Sequence, residues 1–261
     1  DDGTTVTDFD EEAIARKHTL SASIAHAEWN KHKINIIDTP GMANFLSEAQ
    51  AALQISDAAV IVIDAVAGVE VQTEKVWNTA HEFGLPRLLI LNRLDLERAS
   101  LERALGSLQD VFGRKVVPVQ LPLGEEKSFH GVIDLVSMQE LVFESDGSGK
   151  FSAQEIQSES TEKATAARDK LIEVIAETDD TLMEKFFEAG TLTQEELNEG
   201  LKTATRAGLV FPLFCTSATL NIGIQPVLES ILTYLPSPAD RPFSGVDRSS
   251  NELVMCEAKE S

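Results

Sequence analysis

Cysteine, tyrosine and long apolar runs are all scarce in this sequence of 261 residues, which holds two cysteines and one tyrosine. Two thiols, Cys215 and Cys256, exclude a disulfide framework. Cys215 falls in the apolar run 209–215, where a buried free thiol is a better reading than a bridge or a metal ligand. A reducing, cytoplasmic setting fits. No apolar run nears the roughly 18 residues that cross a membrane, so no membrane association is expected. The opening Asp1-Asp2-Gly3-Thr4-Thr5 has neither the basic flank nor the apolar stretch of a secretory signal. Positive charge is short as well: 22 Lys and Arg stand against 43 Asp and Glu, a formal charge of −21. Such a surface repels phosphate backbones and excludes a broad or sequence-specific grip on nucleic acid. Docking on basic proteins stays open, and solubility alone accounts for the charge equally well.

Several catalytic signatures are also missing. There is no Gly-x-Ser-x-Gly elbow and no Cys–His nucleophile pattern. Histidines 18, 26, 32, 81 and 130 have no ligand spacing, which favours structural or surface roles. The phosphate-binding pattern Gly-x4-Gly-Lys-Ser/Thr is absent. Its nearest approach is Gly147-Ser148-Gly149-Lys150, with Glu144 at the first Gly position and Phe151 at the hydroxyl position. Set between Val142-Phe143 and Phe151, it reads as a hairpin turn.

What is present is an alternation of β-branched runs with longer periodic segments. Residues 21–29 alternate, and a polar link at 30–32 leads into a second arm at 33–38, a hairpin. The runs 58–64 (AAVIVID) and 88–92 (LLILN) are continuously apolar, as strands covered on both faces are. Between them the spacing predicts a helix over 71–83, stopped by Gly84 and Pro86. A helix over 100–112 and a strand over 116–121 follow. This rhythm predicts a doubly wound, mostly parallel α/β sheet. It breaks over residues 122–207, read as an inserted α+β subdomain with its own small core: a hairpin-like region, an acidic helix over 165–189, and a further helix opened by the Thr193/Glu196 capping box. The α/β pattern resumes with a strand at 209–215 and a helix at 225–234. The parent domain is thus expected over 1–121 and 208–240. Pro236-Ser237-Pro238 reads as a linker, and 241–261 as linker plus the start of a second, barrel domain.

Three strand ends carry chemistry. Asp38-Thr39-Pro40-Gly41 closes the hairpin's second arm. Ligands of open α/β sheets bind beyond the carboxyl ends of strands, so Asp38 is placed to hold a phosphate-bound Mg²⁺ through water. Gly41 lets a backbone N–H approach a γ-phosphate. Alone, the tetrapeptide reads equally well as a strand-ending turn. Asn92-Arg93-Leu94-Asp95 follows the next apolar strand but one. A carboxylate there can accept guanine's ring N–H and exocyclic amine, a pairing adenine cannot match, worth roughly 1–3 kcal/mol or more when buried. Asn92 would brace the loop, and the stem of Arg93 would cover the base. Alone, it is an ordinary polar strand exit. Thr216-Ser217-Ala218 after the last strand offers a backbone N–H to the guanine carbonyl. The force lies in the conjunction.

In this order and spacing the three motifs resemble the translational GTPases, and the long insert resembles the inserted subdomain of elongation factor G. The likeness continues through Gly131-Val132-Ile133-Asp134-Leu135, Glu177-Thr178-Asp179-Asp180 and Gly223-Ile224-Gln225-Pro226 to Tyr234-Leu235-Pro236-Ser237-Pro238. The opening Asp2-Gly3-Thr4-Thr5-Val6-Thr7-Asp8-Phe9 is more similar to the elongation factor G-like paralogues than to the principal translocase. The resemblance implies a P-loop GTPase fold whose first strand and phosphate loop lie upstream of residue 1. It implies GTP or GDP held by Asp38, Thr39, Pro40, Gly41, Asn92, Arg93, Asp95, Ser217 and Ala218, and Mg²⁺ held by Thr19 and Asp38. It also implies a cytoplasmic elongation factor that hydrolyses GTP on the ribosome, in translocation or ribosome recycling, with the acidic insert docking the ribosomal stalk protein. Three departures stand against the family pattern. Met42 occupies the place of the water-positioning His, and a thioether cannot orient water as imidazole does. Asn44 replaces a usual Asp, and Arg93 a usual Lys. Met42 sustains an alternative: a ribosome-associated regulatory module that binds GTP or GDP with little hydrolysis.

Overall fold

The computed structural model describes residues 5–241 and 243–256. The opening match at Asp2–Thr4 and the last five positions of the expected second-domain start lie outside the described residues.

Helix α1 (Glu11–Arg16) is capped by the Asp10 carboxylate. Strands β1 (Ser23–Trp29) and β2 (His32–Asp38) then form an antiparallel hairpin. Its turn is two residues, because Asn30 and Lys31 both take positive φ (44° and 63°), the twist that suits a tight hairpin. His32 therefore belongs to the strand and pairs with Trp29. Helix α2 (Leu46–Ile55) leads to β3 (Ala59–Asp64), α3 (Val71–Glu82), β4 (Arg87–Asn92), α4 (Leu101–Phe112) and β5 (Val116–Pro118). Ser100 is the N-cap of α4, not its first residue.

The single strand expected over 116–121 is two strands. β5 pairs in parallel with β10 (Phe211–Cys215), whereas β6 (Gln120–Leu123) pairs antiparallel with β7 (Gly131–Asp134). Val119 is the hinge, and its N–H still donates to the Leu213 carbonyl. Beyond it the backbone leaves the ladder, and the Gln120 side chain takes over: its Oε1 accepts the Cys215 N–H at 3.2 Å. A buried strand end is thereby satisfied as the chain passes into the insert.

The insert's sheet continues with β8 (Gln139–Phe143) and β9 (Phe151–Glu155), in the order β6-β7-β8-β9. Gly147-Ser148-Gly149-Lys150 is the β8–β9 turn. The acidic helix expected over 165–189 is broken into α5 (Ser158–Ala176) and α6 (Asp180–Ala189). Asp179 makes the break: its carboxylate accepts the N–H groups of Thr181 and Leu182 and caps the second helix. Helix α7 (Gln194–Arg206) opens on the Thr193/Glu196 capping box, and α8 (Ile224–Tyr234) follows β10. A last hairpin, β11 (Phe243–Val246) and β12 (Leu253–Cys256), pairs antiparallel.

The central sheet runs β3-β4-β10-β5, all parallel. With helices packed over it, this is the doubly wound α/β fold expected from the sequence. Its inner strand β4 buries Leu88, Leu89 and Leu91 completely. At the opposite end from the carboxyl rim, Trp77 stacks on Phe112, and the Arg87 guanidinium lies between the rings of Trp77 and Phe211, 4.3 Å from each. The insert does not form a core of its own. Val132, Ile133, Ile175 and Leu197 join the same buried cluster as Leu89 and Phe214, because β6 follows β5 directly and packs against β10 although it opens a second sheet. The β1–β2 hairpin forms a separate sheet, and β3 is an edge strand with Val60 and Val62 exposed. No helix among the described residues is long and apolar enough to cross a membrane.

Replacing Gln120 with Leu strips the Cys215 N–H of its acceptor in a fully buried position. The expected loss is about 1–3 kcal/mol of unfolding free energy, read by urea denaturation; unchanged stability would show that the side-chain substitution for the ladder is dispensable.

Candidate functional site

Parallel strands put all their carboxyl ends at one rim, and three of those ends are tied together here. Asn92, last residue of β4, is the knot. Its Oδ1 accepts the Ala218 N–H at 2.9 Å and the Thr216 hydroxyl at 3.2 Å. The backbone adds the Leu94 N–H to the Thr216 carbonyl and the Thr216 N–H to the Leu91 carbonyl. The two loops expected to read a base, 92–95 and 216–218, are thus one bonded unit. The backbone N–H expected from 216–218 toward a guanine carbonyl is already engaged at all three positions: Thr216 on Leu91, Ser217 on Ile222 and Ala218 on Asn92.

The second loop is shaped by its own turn. Ser217 and Ile222 exchange backbone hydrogen bonds, and the Ser217 hydroxyl accepts the Leu220 N–H. Ser217 is fully buried and serves this turn. The loop closes at Gly223, where φ is +80° and a Cβ would collide with the Cys215 carbonyl. Only glycine fits there.

In the first loop, Arg93 takes φ +68°, which turns its side chain back toward the neighbouring strand. Its Nη1 donates to Asp64 Oδ2 at 2.9 Å. Asp64 ends β3, and its Oδ1 accepts the N–H groups of Val66 and Ala67. Partial burial pushes the Asp64 pKa up, but the two backbone donors and the Arg93 charge outweigh it and hold the carboxyl below 3.8. Asp64 is the site residue that sequence reasoning missed. Its signal was there, a carboxylate closing the apolar run 58–64 just as Asn92 closes the next.

Asp95 is half-buried, and its Oδ1 is shut off from solvent with no hydrogen-bond partner. A buried carboxylate oxygen left bare costs on the order of 1–3 kcal/mol. A donor brought to it would relieve that cost. Guanine's ring N–H and amine are donors of that kind, so this oxygen fits a guanine nucleotide.

The phosphate side is assembled differently. Asp38 ends β2 opposite Ser23, on the hairpin and not on the central sheet. The hairpin is held at its turn, where Trp29 Nε1 and Asn30 Nδ2 both donate to Glu229 of α8, and at its base, where the Ala22 N–H donates to Glu48. Asp38 and Thr39 are half-buried, Pro40 is buried, and the space a Cβ would take at Gly41 is open. Met42, 48% exposed, precedes a single helical turn at Ala43–Phe45 without capping it through its side chain. Thr19 lies half-buried between α1 and β1. Among the described residues no three His, Cys, Asp or Glu side chains gather as a metal site. Carboxylate and hydroxyl are donor types that Mg²⁺ accepts together with phosphate and water, and among the described residues no hydrogen bond joins Thr19 to Asp38.

Residues 1–237 match the family described as elongation factor Tu GTP binding domain. The chain is 40% identical over 254 residues to elongation factor G of Fervidobacterium nodosum, covering 97% of the chain and 37% of that protein. With elongation factor G of Thermotoga neapolitana it shares 37% identity over 255 residues, again 97% of the chain and 37% of the relative. A crystal structure from Thermus thermophilus superposes with a TM-score of 0.85 at 34% identity, over 94% of this chain and 37% of that one. The chain therefore spans a little over a third of the length of the relatives it matches.

The Asp64 carboxyl should titrate below 3.8 in the folded protein, as read by carbon-detected NMR. Because its folded pKa is depressed, its contribution is complete above the ordinary carboxylate range and is lost as pH falls through the lower folded value. In Asp64→Ala, that acid-range dependence should vanish together with about 1 kcal/mol of stability. An Asp64 midpoint at or above 3.8 would contradict the ion pair with Arg93.

Proposed function

The chain belongs to the elongation factor Tu GTP-binding domain family, in the form found in elongation factor G, and on that premise we propose that it serves a cytoplasmic translation factor that hydrolyses GTP on the ribosome. The observation that carries the reading is Asp95 Oδ1, buried and without a donor, in a loop already tied by Asn92 to the loop beside it. Asp95 accepts the guanine ring N–H and amine, Arg93 lies along the base plane, and the loop at Ser217-Ala218 closes over the carbonyl edge. Arg93 does this while bound to Asp64, which limits how freely its guanidinium moves.

Thr19 and Asp38 are the residues proposed to hold Mg²⁺, which when bound neutralises charge developing on the transferred phosphoryl group. Asp38-Thr39-Pro40-Gly41 brings a backbone N–H to the γ-phosphate at Gly41, where no side chain intervenes. The rim lacks an imidazole at position 42. The Met42 thioether neither donates a hydrogen bond nor orients water strongly, so hydrolysis depends on another group. This observation favours a second reading, a ribosome-bound regulatory module that holds GTP or GDP and turns it over slowly.

The acidic insert is the proposed dock for the ribosomal stalk protein. Helices α6 and α7 carry Asp180, Glu195 and Glu199, and Phe187 stands 77% exposed on α6. A basic, amphipathic partner complements such a face.

Calorimetric titration of GDP, GTP and ATP into the full-length protein tests the base reading. Binding of the two guanine nucleotides alone is expected, and Asp95→Ala should weaken GDP binding by roughly 5- to 150-fold, the loss of a buried pairing worth about 1–3 kcal/mol. Equal affinity for ATP would remove the base-reading loop from the account. Ribosome-stimulated turnover tests position 42: the parent should be slow and Met42→His faster. A parent rate matching an ordinary elongation factor G would show that the thioether is no handicap.

A further inference from the structure

The insert's sheet is an antiparallel meander, and in a meander the first and third connections lie at the same end. The pairing confirms the arrangement. Leu123 faces Gly131 across the β6–β7 connection, Phe143 faces Phe151 across the β8–β9 turn, and the β7–β8 turn lies at the other end, where Asp134 faces Gln139. β6 runs on from β5 past the carboxyl rim. The end that carries the first and third connections therefore stands beside the loops at that rim, and each connection touches a different one.

The β6–β7 connection reaches the first loop. Glu126 Oε1 accepts the Arg98 N–H at 2.8 Å, three residues after Asp95. Both partners take left-handed backbone, Glu126 at φ +52° and Arg98 at φ +69°. Non-glycine residues hold such conformations only where the surroundings fix them. Glu126 is fixed by a one-turn helix, Glu126–Ser128, in which Glu125 and Ser128 cap each other. On the other side, Arg103 of α4 donates to the Arg98 carbonyl. Arg98 is thus clamped at both its N–H and its carbonyl, and the segment 95–98 has its far end anchored by the insert.

The β8–β9 turn reaches the second loop. Asn221 Nδ2 donates to the Gly147 carbonyl at 3.1 Å, and Asn221 Oδ1 accepts from Gln225 Nε2 at 3.3 Å. Gly149 is buried with φ +73°, and a Cβ on it would collide with the Gln225 side chain. Asn221 is itself at φ +55° and sits inside the turn closed by Ser217 and Ile222. The two contacts are independent of the Asn92 knot, and they hold the outer side of each loop as that knot holds the inner side.

We propose that the insert is a brace for base recognition, with Glu126 and Asn221 as positioning residues that pre-order the Asp95 and Ser217-Ala218 loops. The inference rests on the guanine reading above. A loop already held in its bound shape loses less conformational freedom when the base arrives. Anything that tilts the insert withdraws both contacts together, so an event at the insert changes how firmly the base is held, and nucleotide binding stiffens the insert in return.

The test uses the full-length protein and three variants, Glu126→Ala, Glu126→Gln and Asn221→Gly, the last keeping the backbone freedom that position needs. GDP and inosine diphosphate affinities are measured for each; the inosine base lacks the exocyclic amine and so reports on the aim of Asp95. Glu126→Ala and Asn221→Gly should weaken GDP by roughly 5- to 10-fold, a fraction of a charge-assisted hydrogen bond felt at one remove. Both should narrow the preference for GDP over the inosine nucleotide. Glu126→Gln, whose amide oxygen still accepts from Arg98, should restore most of both. A lowered melting temperature with the GDP preference intact would overturn the brace and leave the contacts merely structural, and so would affinities unchanged in every variant. If the parent fails to prefer GDP over ADP, the base reading falls first and the brace falls with it.

Discussion

A single amide oxygen organises the rim of this fold. Asn92 Oδ1 accepts from the backbone of one loop and from a hydroxyl at its root, and it ties Ala218 to a corner where the backbone already joins the ends of β4 and β10 through Leu94, Thr216 and Leu91. A neutral acceptor suits the task. A carboxylate here would add a third negative group to a rim that already holds Asp64 and Asp95, raising the cost of each. A shorter side chain would not reach the Ala218 N–H. The parallel sheet and two backbone hydrogen bonds bring the strand ends together, and the Asn92 side chain extends that joining to Ala218.

Charge at the rim is arranged by the same logic. Asp64 commits its oxygens to two backbone donors and Arg93. Arg93 is committed to Asp64, and Asp95 retains a bare oxygen. In a chain of net charge −21, an unpaired and half-buried carboxylate is an unstable arrangement unless something with donors completes it. The penalty is local, and the deeply packed β4 beneath it, with Leu88, Leu89 and Leu91 sealed from solvent, holds the loop without yielding.

Much of this was legible in the residues. The continuous apolar runs at 58–64 and 88–92 marked parallel strands, the second covered on both faces as expected and the first on one face only, and the capping box at Thr193 placed the start of α7. What could not be read shares one cause: it depends on side chains acting across the chain. A strand over 116–121 looked single because its apolar pattern is unbroken; only the Gln120 side chain, replacing a backbone acceptor for Cys215, marks where one sheet becomes another. The helix over 165–189 looked continuous because Asp179-Asp180 suits a solvated helical face as well as a cap. Asp64 ended its run as plainly as Asn92 did, but nothing local showed that Arg93 would turn back to meet it. The insert's separate core was a misreading of the same kind, since polarity between elements says little about which apolar faces meet.

The two halves of the candidate site stand on different footings, and the reason is topological. The base half is built on β4 and β10, neighbours in one ladder, and its two loops are cross-bonded through Asn92 and the backbone. The phosphate half is built on a hairpin that shares no ladder with β3 and is held at its turn by Glu229 and at its base by Glu48. Strand β3 meanwhile stands at the edge of its sheet and presents Val60 and Val62 to solvent on one face, although strands of a parallel sheet are ordinarily covered on both faces. A further parallel strand against β3 would cover that edge and give β2 a ladder to join, and it would fix Asp38 relative to Asp64. The proposed base-side loops are thus cross-bonded at one corner of the central sheet, whereas Asp38, Gly41 and Thr19 are carried by the hairpin and the segments flanking it. On the proposed function, such a division would let a purine stay held while the groups facing its phosphates move, as a nucleotide-driven switch requires.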